Sequence, residues 1–479
     1  MEWLIGIGIL LLIFIGIILV RTFLFQPKNE ETDFSEDVEF DKKRAVANLQ
    51  ALIQCRTVSY KNKQLEDEAE FLRLEATLKN IFPLVHEKMQ WMKLGDRSLL
   101  YFWPGVESTQ EPTVLMAHYD VVPVHEASWQ EAPFAGVIKD GYLWGRGTLD
   151  TKITLNGALS AAEHLLEKGY TPQKDMYFAF AGDEEIAGKG AVVIVDWFEE
   201  KKMKPSLVVD EGGAVVSKIF PGVEEDCALV GIAEKGMLEL ELVLESSGGH
   251  ASSPKPHTVV GELAQACVNV EKNPFPKNVS LPAKKMFDVL GRRSNFMYRM
   301  IFANQWLFGG LLDAICKKNG GELNALMRTT MAFTQMQGSD ANNVIPPYAT
   351  MGINSRIMNG ETSDEVVSYL KKVIANDKIQ IVKKNVFEPS RISEVDCPGY
   401  EIVKKAIQDT WKGVLVSPYL MIACSDSRHY GRISPYVYRF SAMKLSLEER
   451  KSIHGNNEKV PLDTIQQAVA FYIRLIQMC

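Results

Sequence analysis

Met176-Tyr177-Phe178-Ala179-Phe180-Ala181-Gly182-Asp183-Glu184-Glu185 runs from an unbroken apolar stretch of strand length straight into adjacent carboxylates. Six apolar residues without alternation read as a strand buried on both faces, the kind found in a parallel sheet. Acids at the end of such a strand are costly to bury unless a cation uses them. Taken alone, the pair also fits a solvated helix start, so the reading depends on what stands elsewhere in the chain.

Working outward, Thr113-Val114-Leu115-Met116-Ala117 and Leu207-Val208-Val209 are further apolar runs, and Leu155, Ala158, Ala162 and Leu165 recur between them at helical spacing. This alternation predicts an α/β domain with a mostly parallel central sheet, whose strand ends line one edge where such folds carry their sites. Polar residues recur at those ends: His118 and Asp120, Asp150 after Gly145-Arg146-Gly147-Thr148-Leu149, Glu184 with Glu185, and Asp210 with Glu211. An imidazole among carboxylates suits a borderline metal such as zinc. His454, in Ser452-Ile453-His454-Gly455, is a late candidate to join them.

Near Ala233 the pattern changes. Leu238, Leu240, Leu242 and Leu244 alternate with Glu239, Glu241, Val243 and Glu245, the signature of a strand with one wet face. Thr362-Ser363-Asp364-Glu365 offers a capping box ahead of Val366, Val367, Leu370 and Val373. The expected organisation is a catalytic domain over 41–232 and 392–479, interrupted by a smaller α+β lid or dimerisation domain over 233–391. Within the latter, 283–320 is dense in aromatics, including Phe287, Phe296, Phe302, Trp306 and Phe308. That stretch reads as a helical hairpin with its own core, or as a greasy pocket wall or membrane-facing surface.

The N-terminus stands apart. Trp3 to Val20 is uninterrupted and apolar, closed by Arg21, and Glu2 stands where a signal peptide would carry a basic residue. Residues 1–25 therefore read as a single-pass transmembrane anchor and 26–40 as an acidic tether. Arg21 and Lys28 vote for a cytoplasmic globular part, but Glu30, Glu31 and Asp33 dilute that vote, and sidedness stays open. A net charge of -7 gives no basic footprint for nucleic acid. Seven scattered cysteines form no disulfide framework.

The motifs Ala117-His118-Tyr119-Asp120-Val121-Val122-Pro123, Gly145-Arg146-Gly147, Asp183-Glu184-Glu185, Asp210-Glu211-Gly212-Gly213, Gly248-Gly249-His250-Ala251-Ser252, Asn343-Val344-Ile345-Pro346 and Ile453-His454-Gly455 together resemble the co-catalytic dizinc metallopeptidases. That family includes aminoacylase, carnosinase, carboxypeptidase S and the N-fatty-acyl amino acid synthase/hydrolase. Asp426-Ser427-Arg428-His429-Tyr430 is most similar to the carboxypeptidase S and fatty-acyl branch. The resemblance implies two Zn²⁺ per chain bridged by Asp150, with His118 and Asp210 on one ion and Glu185 and His454 on the other. Glu211 is the alternative to Asp210, since only one of two neighbours on a strand can face the site. Glu184 would be the general base, Asp120 the acid that orients a ligand, and His250 an oxyanion-stabilising group reaching a partner subunit's site in a homodimer. Asn343, Arg356 and Arg428 would bind substrate.

The implied activity is hydrolysis of an amide bond to release a free amino acid, from N-acyl or fatty-acyl amino acids or from peptides with a free C-terminus. The rival is a non-catalytic, membrane-anchored metal-binding receptor or scaffold of the same fold. It would lack the base or a ligand, and both are present here.

Overall fold

The computed structural model describes residues 2–27, 34–108, 111–218 and 220–479. Lys28, Glu30, Glu31 and Asp33, on which sidedness was weighed, lie outside the described residues.

An eight-stranded sheet forms the larger layer, in the order Gln90–Leu94, Ser98–Trp103, Met176–Ala181, Thr113–His118, Leu207–Val216, Val437–Leu445, Cys227–Glu234, Leu415–Met421. The strand Thr113–His118 pairs in parallel with Met176–Ala181 on one side and with Leu207–Val216 on the other. Both Thr113–His118 and Met176–Ala181 are buried along their whole length, as their unalternating composition predicts. Helix Lys152–Glu167, apolar and buried over most of its surface, packs against the C-terminal helix Leu462–Met478 on this sheet. The chain thus returns after residue 391 to complete the first sheet, which carries His454 back to the site.

A second sheet is antiparallel, in the order Thr330–Gln337, Tyr348–Ile357, Gly236–Glu245, Gln380–Phe387. Leu238, Leu240, Leu242 and Leu244 face a separate core under helices Val259–Lys272 and Ser363–Ile374. The second helix starts with the capping box expected of Thr362 and Glu365.

One expectation changes. The stretch 283–320 does not fold on a core of its own: Met286, Phe287, Leu290, Phe302 and Cys316 join the core of the large sheet. Phe302 packs at 4.8 Å from Phe220 and 5.6 Å from Phe287, between ring centroids. The reason is that helix Leu281–Arg293 lies along strand Leu415–Met421 and carries its neighbours with it. The described residues of the acidic tether lie against the large domain. Ser35 donates through N and Oγ to Asp409, Lys412 pairs with Asp37 at 3.1 Å, and Arg474 donates to the Glu36 carbonyl.

Candidate metal centre

His118 closes its strand with its ring wholly buried. The Asp120 carbonyl lies 3.0 Å from Nδ1, which assigns the proton to that nitrogen and turns Nε2 toward Asp150 Oδ1 at 3.0 Å and Glu211 Oε1 at 3.4 Å. His454, with φ of 59°, sets its Nε2 2.9 Å from Asp150 Oδ2 and 3.1 Å from Glu185 Oε2. Asp150 therefore stands between two imidazoles. Ligand atoms of His118, Asp150 and Glu185 lie within 4.8 Å of one another.

The turn after Ala181 explains how neighbouring acids separate. Asp183 spends its carboxylate on the backbone N–H groups of Lys189 and Gly190. Asp120 accepts from the N–H of Glu184 at 3.1 Å through one oxygen and of Glu185 at 3.1 Å through the other, while Ser59 Oγ donates to it at 2.7 Å. The expected orienting acid thus fixes the backbone of both glutamates, as well as lying 3.3 Å from the His118 ring.

Asp210 and Glu211 stand inside a ten-residue strand, beyond its last pairing with Thr113–His118 at Val209, rather than at a strand end. Successive residues point to opposite faces. Glu211 is the one that reaches His118, whereas Asp210 turns away and accepts from the Ser427 N–H at 3.0 Å. The sequence reading prefers Asp210 as the ligand, and Glu211 is the acid with the contact to His118.

Burial pushes the Glu211 carboxyl up to about 7 and the Asp426 carboxyl up to about 8, and raises Glu184, Glu185 and Asp210 as well. Asp150 is the exception: burial works against its charge, but the hydrogen bonds from His118 and His454 outweigh it and hold it low. His454 is lifted to about 10 by its bonds to Asp150 and Glu185. For His118, burial opposes the charged form, yet Glu211, Asp120 and Asp150 lift it well above the usual range. So many carboxylates around two imidazoles leave a shortfall of positive charge. Glu185 Oε1 is buried without a hydrogen-bond partner among the described residues. An orphaned carboxylate oxygen beside imidazole nitrogens of this disposition is a donor set that fits divalent cations.

One residue that the sequence reading passed over ties the site together. Glu458, itself buried, accepts from the N–H groups of Leu149 at 2.7 Å, Gly147 at 3.1 Å and Asp150 at 3.3 Å, and pairs with Arg146 at 2.6 Å. It fastens the loop bearing His454 to the loop bearing Asp150. Its position four residues past His454 was the available signal.

The substrate-side candidates divide. Arg356 and Arg428 both attach to the loop that supplies Ser427: Arg356 Nη1 contacts Cys424 Sγ at 3.5 Å, and Arg428 donates to the Ser425 carbonyl while lying 4.6 Å over the Phe387 ring. The ribbon pairing Gly249–His250 with Val344–Ile345 puts His250 beside Asn343, whose carbonyl accepts from Ala251 N–H at 3.0 Å. His250 is exposed, its Nδ1 engaged by Ser252, and neither it nor the Asn343 side chain makes a hydrogen bond or ion pair to the metal cluster among the described residues.

The chain matches the model of peptidase family M20/M25/M40 over residues 114–478. It is 34% identical over 484 residues to a probable carboxypeptidase S-like protein of Dictyostelium discoideum, covering 98% of this chain and 92% of that one. It is also 34% identical over 477 residues to an N-fatty-acyl-amino acid synthase/hydrolase of Xenopus tropicalis, covering 98% and 93%. In fold it is similar to an M20 family metallo-carboxypeptidase of Sulfolobus solfataricus, with a TM-score of 0.66, 19% identity and 91% and 98% coverage. Human carnosine dipeptidase 1 superposes with a TM-score of 0.63 at 13% identity, covering 91% and 96%.

Proposed function

Because the chain belongs to peptidase family M20/M25/M40 and is thus a metallopeptidase-type hydrolase, we propose that it is a dizinc amidohydrolase releasing a free amino acid from N-acyl amino acids, fatty-acyl ones included, or from peptides with a free C-terminus. The observation that carries this reading is the pair of imidazoles, His118 and His454, set on opposite oxygens of Asp150 with Glu211 and Glu185 at either end. His118 and Glu211 would hold one cation and His454 and Glu185 the other, with the Asp150 carboxylate between the two sets supplying negative charge that damps the repulsion of two dications. When bound, the ions supply Lewis acidity to the amide carbonyl and to a water molecule.

The remaining chemistry belongs to the chain. Glu184 takes the proton as the water oxygen bonds to the carbonyl carbon, then gives it to the nitrogen as the C–N bond breaks, leaving a carboxylic acid and a free amino acid. Arg356 and Arg428 offer planar guanidinium groups to the substrate's free carboxylate. The exposed His250 serves the site of a second copy, where it stabilises the oxyanion, so the working unit is a homodimer.

The helix Glu2–Leu24 contains an 18-residue stretch of mean hydropathy 3.1, almost none of it buried, and anchors the enzyme to a membrane. Hydrolysis by the purified full chain of a panel of N-acyl amino acids and dipeptides, with and without chelator, tests the activity. Turnover that chelation abolishes and zinc restores is expected; turnover indifferent to chelator, or none on any member, overturns the reading.

A further inference from the structure

The apolar anchor does not leave the domain as an isolated rod. Arg21 donates from Nε and Nη2 to the Ala303 carbonyl, and Asn304, fully buried, donates to the Ile18 carbonyl and Thr22 Oγ1. Phe23 lies 5.8 Å from Phe296, and Phe14 lies 5.8 Å from Trp306 in an edge-on contact. Helices Phe296–Ala303 and Gln305–Asn319 therefore run beside the anchor for part of its length. At 1.5 Å of rise per residue, Phe14 is about 10 Å along the anchor from Arg21, well inside a hydrocarbon core of about 30 Å. A side chain that touches Phe14 shares its depth.

The same helices expose an apolar face. Met297 is 67% exposed and Trp306 57%, and Leu307, Leu311 and Ile315 follow at four-residue spacing as one exposed stripe. The charged side of helix Gln305–Asn319 is turned elsewhere: Asp313 pairs with buried Arg328 and with Lys317. A soluble surface would bury or break up such a patch. Here it adjoins the anchor helix through the contact of Trp306 with Phe14.

Resting on the reading of Glu2–Leu24 as a membrane anchor, we propose that helices Phe296–Ala303 and Gln305–Asn319 are a second membrane element, whose exposed apolar face lies in the acyl region of the bilayer beside the anchor. Phe302 and Phe287 join this element to the core of the large sheet. The catalytic domain is thus held in one orientation against the lipid surface rather than swinging on a tether.

Trp306 is the natural probe. The full chain is reconstituted in phosphatidylcholine vesicles carrying brominated acyl chains, and the Trp306 signal is taken as the difference between wild type and Trp306→Phe. Quenching of that difference by about twofold or more in brominated lipid, with little effect of aqueous iodide, is expected. Quenching by iodide alone means the face meets water; quenching by neither means a second copy covers it; either result overturns the proposal. Should Trp306→Phe disturb packing, Leu311→Trp in the otherwise wild-type chain moves the probe along the stripe, its signal taken as the difference from wild type with the same readout. Alkaline carbonate extraction separates the two claims: protein released into the supernatant overturns the anchor and the proposal together, whereas membrane-retained protein with an unquenched Trp306 overturns the proposal alone.

Discussion

His118 and His454, more than three hundred residues apart in the chain, aim their Nε2 atoms at opposite oxygens of the one Asp150 carboxylate, at 3.0 and 2.9 Å. On the proposed assignment this carboxylate serves both cation positions, and its loss is expected to empty both. Asp150→Asn should lower bound zinc from about two per chain to well under one, where removing a terminal ligand such as His454 spares one ion. Elemental analysis of the two purified variants checks this.

The adjacent acids of strand Leu207–Val216 are expected to behave differently. Glu211→Ala should weaken zinc binding by at least about 100-fold, as for loss of a direct ligand, whereas Asp210→Asn, which alters only the support from Ser427, should cost about tenfold or less. Competition with a zinc chelator reports both affinities, and the opposite ranking would restore Asp210 as the ligand.

Glu184→Gln removes the proton carrier and keeps the ligands, so zinc content should stay at the wild-type level while kcat falls by at least about 100-fold. Undiminished turnover in that variant would remove Glu184 from the chemistry.

Glu458 should act through the loop it holds. Glu458→Gln leaves Arg146 buried without its charged partner, which is expected to cost about 3 kcal/mol in stability and to weaken zinc binding about 10-fold through misplacement of Asp150. Thermal unfolding with zinc titration separates the two effects.

His429 makes stability fall on the acid side. Burial first, then the neighbouring Arg428, hold its imidazole down at about 4, and its Nε2 is buried without a hydrogen-bond partner among the described residues. The unfolded chain binds this proton near pH 6.5, so stability is intact above that value, declines as pH falls toward 4, and levels off below. His429→Phe should remove on the order of 2 kcal/mol of that decline, allowing for the part of the ring that water reaches. Denaturant titrations of the solubilised protein at pH 7 and pH 4 measure it.

The sequence revealed the parts of this fold whose signal is local. Unalternating runs such as Met176–Ala181 mark buried parallel strands, and the alternating leucines of Gly236–Glu245 mark a strand with one wet face. The set that gathers His118, Asp150, Glu185 and His454 was legible because each stands in a distinctive motif. What was not legible depends on direction and on distant packing. Which of Asp210 and Glu211 faces His118 is decided by the phase of one strand, and spacing along the chain does not report phase. Glu458 owes its role to backbone N–H groups three hundred residues away. The aromatics of 283–320 were visible as a cluster, but their partners, Phe220 and the N-terminal helix, come from other parts of the chain.

Zinc titration into chelator-stripped full-length protein, with hydrolysis of an N-acyl amino acid as the readout, tests the central claim most directly. Activity that is absent in the stripped protein and climbs to a plateau at about two zinc ions per chain is the expected result. Full activity in the stripped protein, or a plateau at one ion, would contradict a catalytic centre built on the shared carboxylate of Asp150.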